Sequence, residues 1–307
     1  MTVTAIVNQK GGVGKTTVTL GLAATLAAYG RRVLVVDLDP QANATTGAGV
    51  WDAKSTIADV LANEQPGGVA RVITPAGWPT GAESDDAQIR SVETIPSGSV
   101  DVAPSGPNLA RVEHDLASDM IGGQDRLAVS LDGVAHNYDH VLIDCAPSLG
   151  LLTVNALFAA DDVVVVAEPA AWSLDGVEQI VQNVERVAGR RGGRPVIRGI
   201  AVNKLARTRD SAHWYHQLQE THAARRIGAP IRLRAAVAES AAHCLPITAM
   251  TRSGASEVVE EFTELAKGFG LLDRDEPDQQ IDSEPSPNPP NVHSVAFGGE
   301  SDPTPVG

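Results

Sequence analysis

Short runs of apolar residues alternate along the chain with longer stretches in which apolar positions recur every three or four residues. The short runs, such as Val33–Val36 and Val163–Ala167, are continuously apolar and rich in valine. Runs of this kind are typical of strands in a parallel sheet that is covered on both faces, and the longer stretches are typical of the covering helices. The pattern predicts an α/β fold with a doubly wound, mainly parallel sheet and helices on both faces.

The predicted elements follow one another in strand–helix order. The predicted strands are Ala5–Val7, Val33–Val36, Val100–Ala103, Val141–Ile143, Val163–Ala167 and Val196–Val202. The predicted helices are Thr16–Tyr29, Thr56–Ala62, Asn108–Met120, Leu149–Ala159, Leu174–Ala188, Ser211–Arg225 and Ser253–Gly268. Residues 66–96 are rich in Gly, Pro, Ser and Asp, which predicts an irregular connection.

The composition changes after residue 272. Residues 273–307 contain eight acidic residues, one arginine and seven of the 19 prolines. Such a segment buries too little apolar surface to offset the entropy that ordering would remove. We therefore predict one folded domain over residues 1–272 and a disordered, acidic, proline-rich tail over residues 273–307.

The charge is distributed unevenly. The formal net charge of −14, from 24 Lys+Arg against 38 Asp+Glu, argues as an average against a nucleic-acid partner. Between Arg186 and Arg234, however, twelve basic residues stand against only Asp210 and Glu220. A basic segment on an acidic protein indicates a surface that binds a partner.

Cysteine usage and the N-terminal sequence indicate the compartment. Cys145 and Cys244 are far apart and have no metal-binding spacing, which predicts reduced thiols and no metal cluster. The strand-like sequence begins directly after Met1 without the features of a signal peptide, and no apolar run has the length of a membrane span. We expect a cytoplasmic protein.

A glycine-rich segment lies between the first predicted strand and the first predicted helix. It departs from the common phosphate-binding pattern G-x-x-x-x-G-K-[ST], because Gln9 stands where the first glycine is expected and Lys10 adds a second lysine. Glycines allow backbone N–H groups to face a polyphosphate, and the helix N-terminus adds its dipole. The predicted nucleotide-binding residues here are Lys10, Gly11, Gly12, Val13, Gly14, Lys15, Thr16 and Thr17.

Several segments together resemble the ParA/MinD family of P-loop ATPases, and most closely its short ParA-type partitioning members. Residues 8–17 resemble the deviant Walker A motif, residues 35–45 the second motif, and residues 141–148 the Walker B and switch segment. Order and spacing agree over roughly residues 2–267. The resemblance implies an ATPase with Mg²⁺ as its metal, whose slow turnover is stimulated by a partner.

The resemblance also gives roles to individual lysines and to one carboxylate. Lys15 would bridge the terminal phosphates, and Lys10 would reach the phosphates held by the other subunit of an ATP-bound homodimer. Asp39 would orient or deprotonate the attacking water. The alternatives are that Lys10 is a solvated loop residue and that Asp39 is a helix N-cap.

The metal and the base are assigned in the same way. Thr16 would bind Mg²⁺, Asp144 would hold it through a water, and Asp37 would support this shell. Asn203 is a candidate adenine contact, with turn capping as the alternative, and Pro246 would pack on the base. A guanine-reading N-K-x-D motif is not met because residue 206 is alanine, so ATP is favoured.

The partner depends on features outside the ATPase motifs. An acidic C-terminal segment disfavours membrane attachment, and the two cysteines disfavour cluster chemistry. The basic window favours nonspecific DNA bound through its phosphates, and a start directly before the first strand predicts no N-terminal helix-turn-helix domain. The candidate DNA-binding residues are Arg190, Arg191, Arg194, Arg207, Arg209, Arg225 and Arg226.

The predicted function is ATP-dependent DNA partitioning by a nucleoid-associated homodimer. Resemblance to the family implies a ParB-like centromere-binding protein as the partner that stimulates hydrolysis. The alternative is a ParA-like ATPase that positions a protein cargo or regulates cell division or polarity, since fold and ATPase motifs do not distinguish these roles.

Overall fold

The computed structural model describes residues 1–79, 98–119, 121–171 and 173–273. The strands are β1 (Thr2–Val7), β2 (Arg32–Leu38), β3 (Thr74–Pro75), β4 (Ser99–Ala103), β5 (His140–Cys145), β6 (Asp162–Ala167) and β7 (Val196–Val202). They form one seven-stranded sheet in the order β3-β4-β2-β5-β1-β6-β7. All neighbouring strands are parallel except β3, which runs antiparallel to β4.

Helices cover both faces of the sheet. They are α1 (Lys15–Ala28), α2 (Asn43–Gly47), α3 (Ile57–Ala62), α4 (Asn108–Leu116), α5 (Arg126–Leu131), α6 (Leu151–Ala159), α7 (Ser173–Arg190), α8 (Arg209–Thr221), α9 (Ala235–Ala242) and α10 (Ala255–Gly268). Helices α3 to α8 contribute to the apolar core on one face, and α1, α2, α9 and α10 to the core on the other. This is the doubly wound arrangement predicted from the apolar pattern.

Helix α1 lies between the sheet and α10 and is buried along most of its length. Gly21 allows this close packing, because a Cβ at that position would lie 2.2 Å from the ring of Phe262. A helix held on two sides fixes the position of the loop that leads into it. The N-terminus of α1 is therefore a rigid support for a binding site.

The strand order brings together segments that are far apart in the sequence. Strands β2, β5 and β1 are adjacent, with Asp37 paired to Asp144 and Ile6 paired to Asp144 in the register. Because all three strands are parallel, the loops that follow them leave from the same edge of the sheet. The glycine-rich loop, the Asp37–Asp39 segment and the segment after Asp144 meet there.

The predicted strands and helices are present, with ends displaced by a few residues. The apolar pattern did not predict β3, α2, α5 or α9, which are short or lack a strong apolar periodicity. The predicted helix ending at Met120 ends at Leu116 in the structure. Residues 80–96 of the predicted connection and residues 274–307 of the predicted tail lie outside the described residues, so the domain boundary remains a prediction.

Among the helices of the described residues, none combines the length and apolar character that crossing a lipid bilayer requires.

Candidate functional site

The loop between β1 and α1 has the backbone that phosphate binding requires. Gly12 and Gly14 adopt positive φ angles of 78° and 92°. A Cβ on Gly14 would lie 2.0 Å from the amide nitrogen of Asn203, so glycine is needed there for space as well as for conformation. Among the described residues no side chain caps α1, so its first N–H groups are available to an anion.

The two lysines of this loop differ in their surroundings. Lys15 is 6% exposed, and its ammonium donates to the carbonyl oxygen of Lys10 at 3.5 Å. Burial lowers the pKa of Lys15, and the carboxylates of Asp144 and Asp39 oppose that shift. Lys10 is exposed, and its ammonium makes no hydrogen bond or ion pair within the described ranges. The structure thus brings Lys15 into the site and leaves Lys10 available to another molecule.

Two buried carboxylates lie beside the loop. Asp144 accepts hydrogen bonds from the hydroxyl groups of Thr16 at 2.7 Å and Thr19 at 3.1 Å. Asp37 accepts from both the backbone N–H and the hydroxyl of Thr45, at 2.8 and 2.7 Å. Burial, with a contribution from the neighbouring carboxylate, raises the pKa of Asp144 to about 7, and burial raises that of Asp37 to about 6.

This pair fits a divalent cation. Two adjacent buried anions with hydroxyl oxygens beside them form an oxygen-only donor set, which suits Mg²⁺. A cation would also offset the cost of burying these carboxylates as anions, which raises both pKa values. Thr16 and Asp144 would hold the cation, and Asp37, paired with Asp144 in the neighbouring strand, would support them.

Asp39 begins the loop after β2 and is 7% exposed. Its Oδ1 accepts from the N–H of Gln41 at 2.9 Å. The N-cap of α2 is Ala42, so Asp39 does not cap that helix. Its carboxylate lies close enough to Lys15 to affect the pKa of the lysine, which places it at the phosphate loop.

The segment after Asp144 lies beside the phosphate loop. A Cβ on Gly11 would meet the side chain of Pro147 at 3.9 Å, and Thr153 donates to the carbonyl oxygen of Ser148 at 2.6 Å. Glu113 of α4 accepts from the backbone N–H of Leu152 at 3.3 Å. Pro147 and Ser148 are themselves exposed, in keeping with a segment that senses a bound phosphate.

The two residues predicted to contact the base have different surroundings. Pro246 lines a cavity of about 300 Å³ together with Thr16 and Thr17. Asn203 does not line it, and its amide donates to the carbonyl oxygen of Val13 at 2.9 Å. The cavity leaves space beside Pro246, and Asn203 supports the phosphate loop, so both contacts with a base remain predictions.

Sequence reasoning missed three hydroxyl residues of the site: Thr19, Thr45 and Ser105. Thr19 lies beyond the glycine-rich motif, Thr45 ends the second motif but was given no role, and Ser105 lies two residues after β4. A polar residue just past a predicted strand was a usable signal for Ser105. Without the strand order, nothing placed β4 next to β2.

The comparisons with known proteins agree with this geometry. A family model described as an AAA domain matches residues 1–193. The chain is 40% identical over 207 residues to the sporulation initiation inhibitor protein Soj of Bacillus subtilis, an alignment that covers 66% of this chain and 73% of Soj. It is 38% identical over 209 residues to the chromosome partitioning protein ParA of Caulobacter vibrioides, covering 67% and 70%. The chain belongs to the ParA/MinD family of P-loop ATPases.

A solved structure extends the agreement to the fold. An ATP complex of McdA from Cyanothece superimposes with a TM-score of 0.70 at 19% identity, covering 88% of this chain and 96% of McdA. The seven-stranded fold is thus that of a ParA/MinD ATPase well beyond the residues matched by the family model.

In this ParA/MinD ATPase, several arginines of the basic window have partners elsewhere in the fold. The guanidinium of Arg191 donates to two backbone carbonyl oxygens, Arg194 and Arg225 form ion pairs, and Arg226 donates to a backbone oxygen. These partners are Leu157 and Ala160 for Arg191, Asp161 for Arg194, Glu185 for Arg225 and Gly268 for Arg226. Acidic residues outside the window therefore offset the charges of Arg194 and Arg225, and backbone oxygens bind Arg191 and Arg226.

The other three predicted DNA-binding arginines are exposed. Arg207 and Arg209 make no hydrogen bond or ion pair with the part of the chain that the structure describes, and Arg190 donates only to the carbonyl oxygen of Arg186 in its own helix. Helix α7 spans 18 residues, or about 27 Å. It runs from the edge of the sheet where the phosphate loop lies, here called the nucleotide edge, to the opposite edge, where the parallel strands begin. Arg190, at its end, lies far from Arg207 and Arg209, which follow β7 at the nucleotide edge.

Proposed function

We propose that this ParA/MinD ATPase partitions DNA in an ATP-dependent cycle. The observation that carries the proposal is one site that combines a buried lysine, Lys15, an exposed lysine, Lys10, and the Asp37–Asp144 pair. The relative named as a chromosome partitioning protein supports it, since the alignment covers 70% of its length.

The residues have separate tasks in the hydrolysis of ATP. The open N–H groups of α1 and the ammonium of Lys15 bind the phosphates, and Thr16 with Asp144 holds Mg²⁺. When bound, the metal neutralises charge that develops on the phosphate oxygens. Asp39 accepts a proton from the attacking water or orients it.

Lys10 makes dimerisation depend on ATP. Its exposed ammonium lacks an acidic partner in the described residues, so the triphosphate of a second subunit is its natural counter-charge. Two subunits that exchange this contact form a homodimer around two nucleotides. Turnover is slow until a ParB-like protein completes the positioning of the water.

DNA binding follows from the exposed arginines. Arg207 and Arg209 lie at the nucleotide edge, where they would respond to dimerisation, and Arg190 adds a contact at the opposite edge. Guanidinium groups that bind phosphates give little sequence preference, so the ATP-bound dimer covers the nucleoid in the cytoplasm and ADP subunits leave it.

The test is retention of nonspecific DNA at low and moderate salt, with ATP, with ADP and without nucleotide. We expect the wild-type protein to retain DNA only with ATP, and Lys15→Ala to retain none because the phosphates are not bound. Lys10→Ala should still bind a fluorescent ATP analogue but should remain a monomer. Lys267→Ala, at the end of α10, is the control for loss of one positive charge.

Equal retention of DNA by the wild-type protein and Lys15→Ala without nucleotide would reject the ATP switch. An ATP-dependent dimer that does not retain DNA would instead favour a protein cargo.

A further inference from the structure

Ser105 connects the strand next to β2 to the loop that carries Asp39. It follows β4, which pairs with β2 in the register Val36 to Ala103, and it is 5% exposed. Its hydroxyl donates to the carbonyl oxygen of Asp39 at 2.7 Å, and its backbone N–H donates to the hydroxyl of Thr45 at 2.8 Å. Ser105 therefore contacts both the loop between β2 and α2 and the helix α2 that follows it.

The loop adopts a conformation that needs such support. Ala42 has a φ of 55°, in the left-handed region that alanine disfavours. Its N–H donates to the carbonyl oxygen of Asp39 at 2.9 Å, the same oxygen that Ser105 binds. Backbone conformations of this kind persist when surrounding contacts fix them.

These contacts leave one atom of Asp39 uncommitted. Its N–H donates to Asp37 at 3.0 Å, and its Oδ1 accepts from Gln41 at 2.9 Å. In the ranges that the structure describes, Oδ2 accepts no hydrogen bond. Oδ1 of Asp39 is therefore already hydrogen-bonded, Oδ2 is available, and the backbone is held from two strands. In this arrangement Oδ2 can accept a proton from one fixed direction.

We propose that Ser105 is a positioning residue for ATP hydrolysis, which holds the Asp39 backbone so that Oδ2 meets the attacking water. This rests on the function proposed above, in which Asp39 acts on that water. In this proposal Ser105 acts through Asp39 and not on the nucleotide. Its loss should therefore change the rate of the chemical step and leave nucleotide binding intact.

The experiment compares Ser105→Ala with Ser130→Ala, a matched control. Ser130 is 1% exposed and its hydroxyl donates to the carbonyl oxygen of Leu127 at 2.9 Å within α5, so the same change is made at an equally buried serine. We expect Ser105→Ala to lower kcat for phosphate release at least about tenfold, because small displacements of a catalytic group have large effects, with an unchanged KM for ATP. Ser130→Ala should keep the wild-type kcat.

A conservative variant separates positioning from stability. Ser105→Thr retains the hydroxyl and should recover most of the wild-type kcat. Ser105→Cys, with a weaker donor in a similar volume, should be intermediate, and it replaces Ser105→Ala if that variant fails to fold. Thermal unfolding of all variants reports any loss of stability.

Asp39→Ala distinguishes the two proposals. Wild-type kcat in Ser105→Ala beside an inactive Asp39→Ala would overturn the role of Ser105 alone. Wild-type kcat in Asp39→Ala would reject the chemistry of the proposed function. Equal losses in Ser105→Ala and Ser130→Ala, or a failure of Ser105→Thr to recover activity, would show that Ser105 is merely structural.

Discussion

Asp37 of β2 and Asp144 of β5 lie directly opposite each other in neighbouring parallel strands, and both side chains are fully buried. Hydroxyl and N–H donors satisfy part of this charge: Thr45 binds Asp37, and Thr16 binds Asp144. Burial still raises both pKa values, so the nucleotide-free protein holds two unfavourable charges in its core. Such an arrangement sacrifices stability for a cation site.

Replacing Asp144 should consequently separate stability from function. Asp144→Asn removes one of the two charges and keeps an oxygen that can accept from Thr16. We expect the free energy of unfolding in EDTA to rise by about 1 kcal/mol, whereas Mg-ATP should no longer raise the melting temperature.

Denaturant unfolding in EDTA and thermal unfolding with Mg-ATP measure these two effects. Thr25→Val, at a buried threonine of α1 whose hydroxyl has no hydrogen-bond partner in the described residues, is a control that leaves the acidic pair intact. If Asp144→Asn were less stable than the wild-type protein in EDTA, burial of the Asp144 charge would not be unfavourable as argued.

The two positive-φ glycines of the phosphate loop should respond differently to alanine. At Gly12 an added Cβ has no atom within 4 Å, so only backbone strain opposes Gly12→Ala. At Gly14 the Cβ would also lie 2.0 Å from the amide nitrogen of Asn203. We expect Gly14→Ala to weaken the binding of a fluorescent ATP analogue at least about tenfold more than Gly12→Ala, because it combines strain with a steric clash.

A second substitution tests that explanation. Asn203→Ala removes the clashing amide, so the double variant should bind the analogue more tightly than Gly14→Ala alone. Additive losses in this double-mutant cycle would show that the two residues do not interact.

The fold and most of the nucleotide site could be predicted from the sequence because local signals specify them. Continuous apolar runs define the parallel strands, and the phosphate loop is a contiguous segment whose glycines and lysines are read directly. Asp37 and Asp144 follow apolar runs in the same way. Each of these residues is identified by its immediate neighbours in the chain.

Residues whose role depends on strand order could not be predicted. From the sequence alone, Ser105 is only a serine that follows a predicted strand. The pairing of β4 with β2 brings its hydroxyl to Asp39. The basic window shows the same limit, since Arg194 and Arg225 find their acidic partners, Asp161 and Glu185, outside it. Contacts between distant segments decide both cases.

His140 lies at the opposite edge of the sheet from the phosphate loop, and it should make the free energy of unfolding depend on pH. It lies at the start of β5, and its Nδ1 is buried without a hydrogen-bond partner among the described residues. Burial lowers its pKa to about 4; Asp139 opposes this shift, and Arg31, Arg198 and the N-terminus add to it. The folded protein therefore keeps His140 neutral, while the unfolded chain binds a proton as the pH falls below about 6.5.

The stabilising effect of neutral His140 should be complete above about pH 6.5 and should be lost as the pH falls towards 4. Because the side chain is partly exposed, we expect a loss of about 1–2 kcal/mol rather than the full value of the shift. His140→Gln should flatten the unfolding free energy over this range, and His136→Gln, at an exposed site, should not. Equal slopes for wild-type protein and His140→Gln would remove this histidine as the cause.

Arg207 and Arg209 should account for more of the DNA affinity than the arginines that have partners within the fold. Each exposed guanidinium that binds a phosphate releases a counterion, so the double variant Arg207→Ala/Arg209→Ala should reduce the slope of log Kd against log salt by about 2. Arg191→Ala should instead lower the free energy of unfolding by about 1–3 kcal/mol, because its guanidinium donates to the carbonyl oxygens of Leu157 and Ala160. Titration of labelled DNA at several salt concentrations, with the ATP-bound dimer confirmed for every variant, measures the slopes. An unchanged slope in the double variant together with a reduced slope in Arg191→Ala would move the DNA-binding surface to the opposite edge of the sheet.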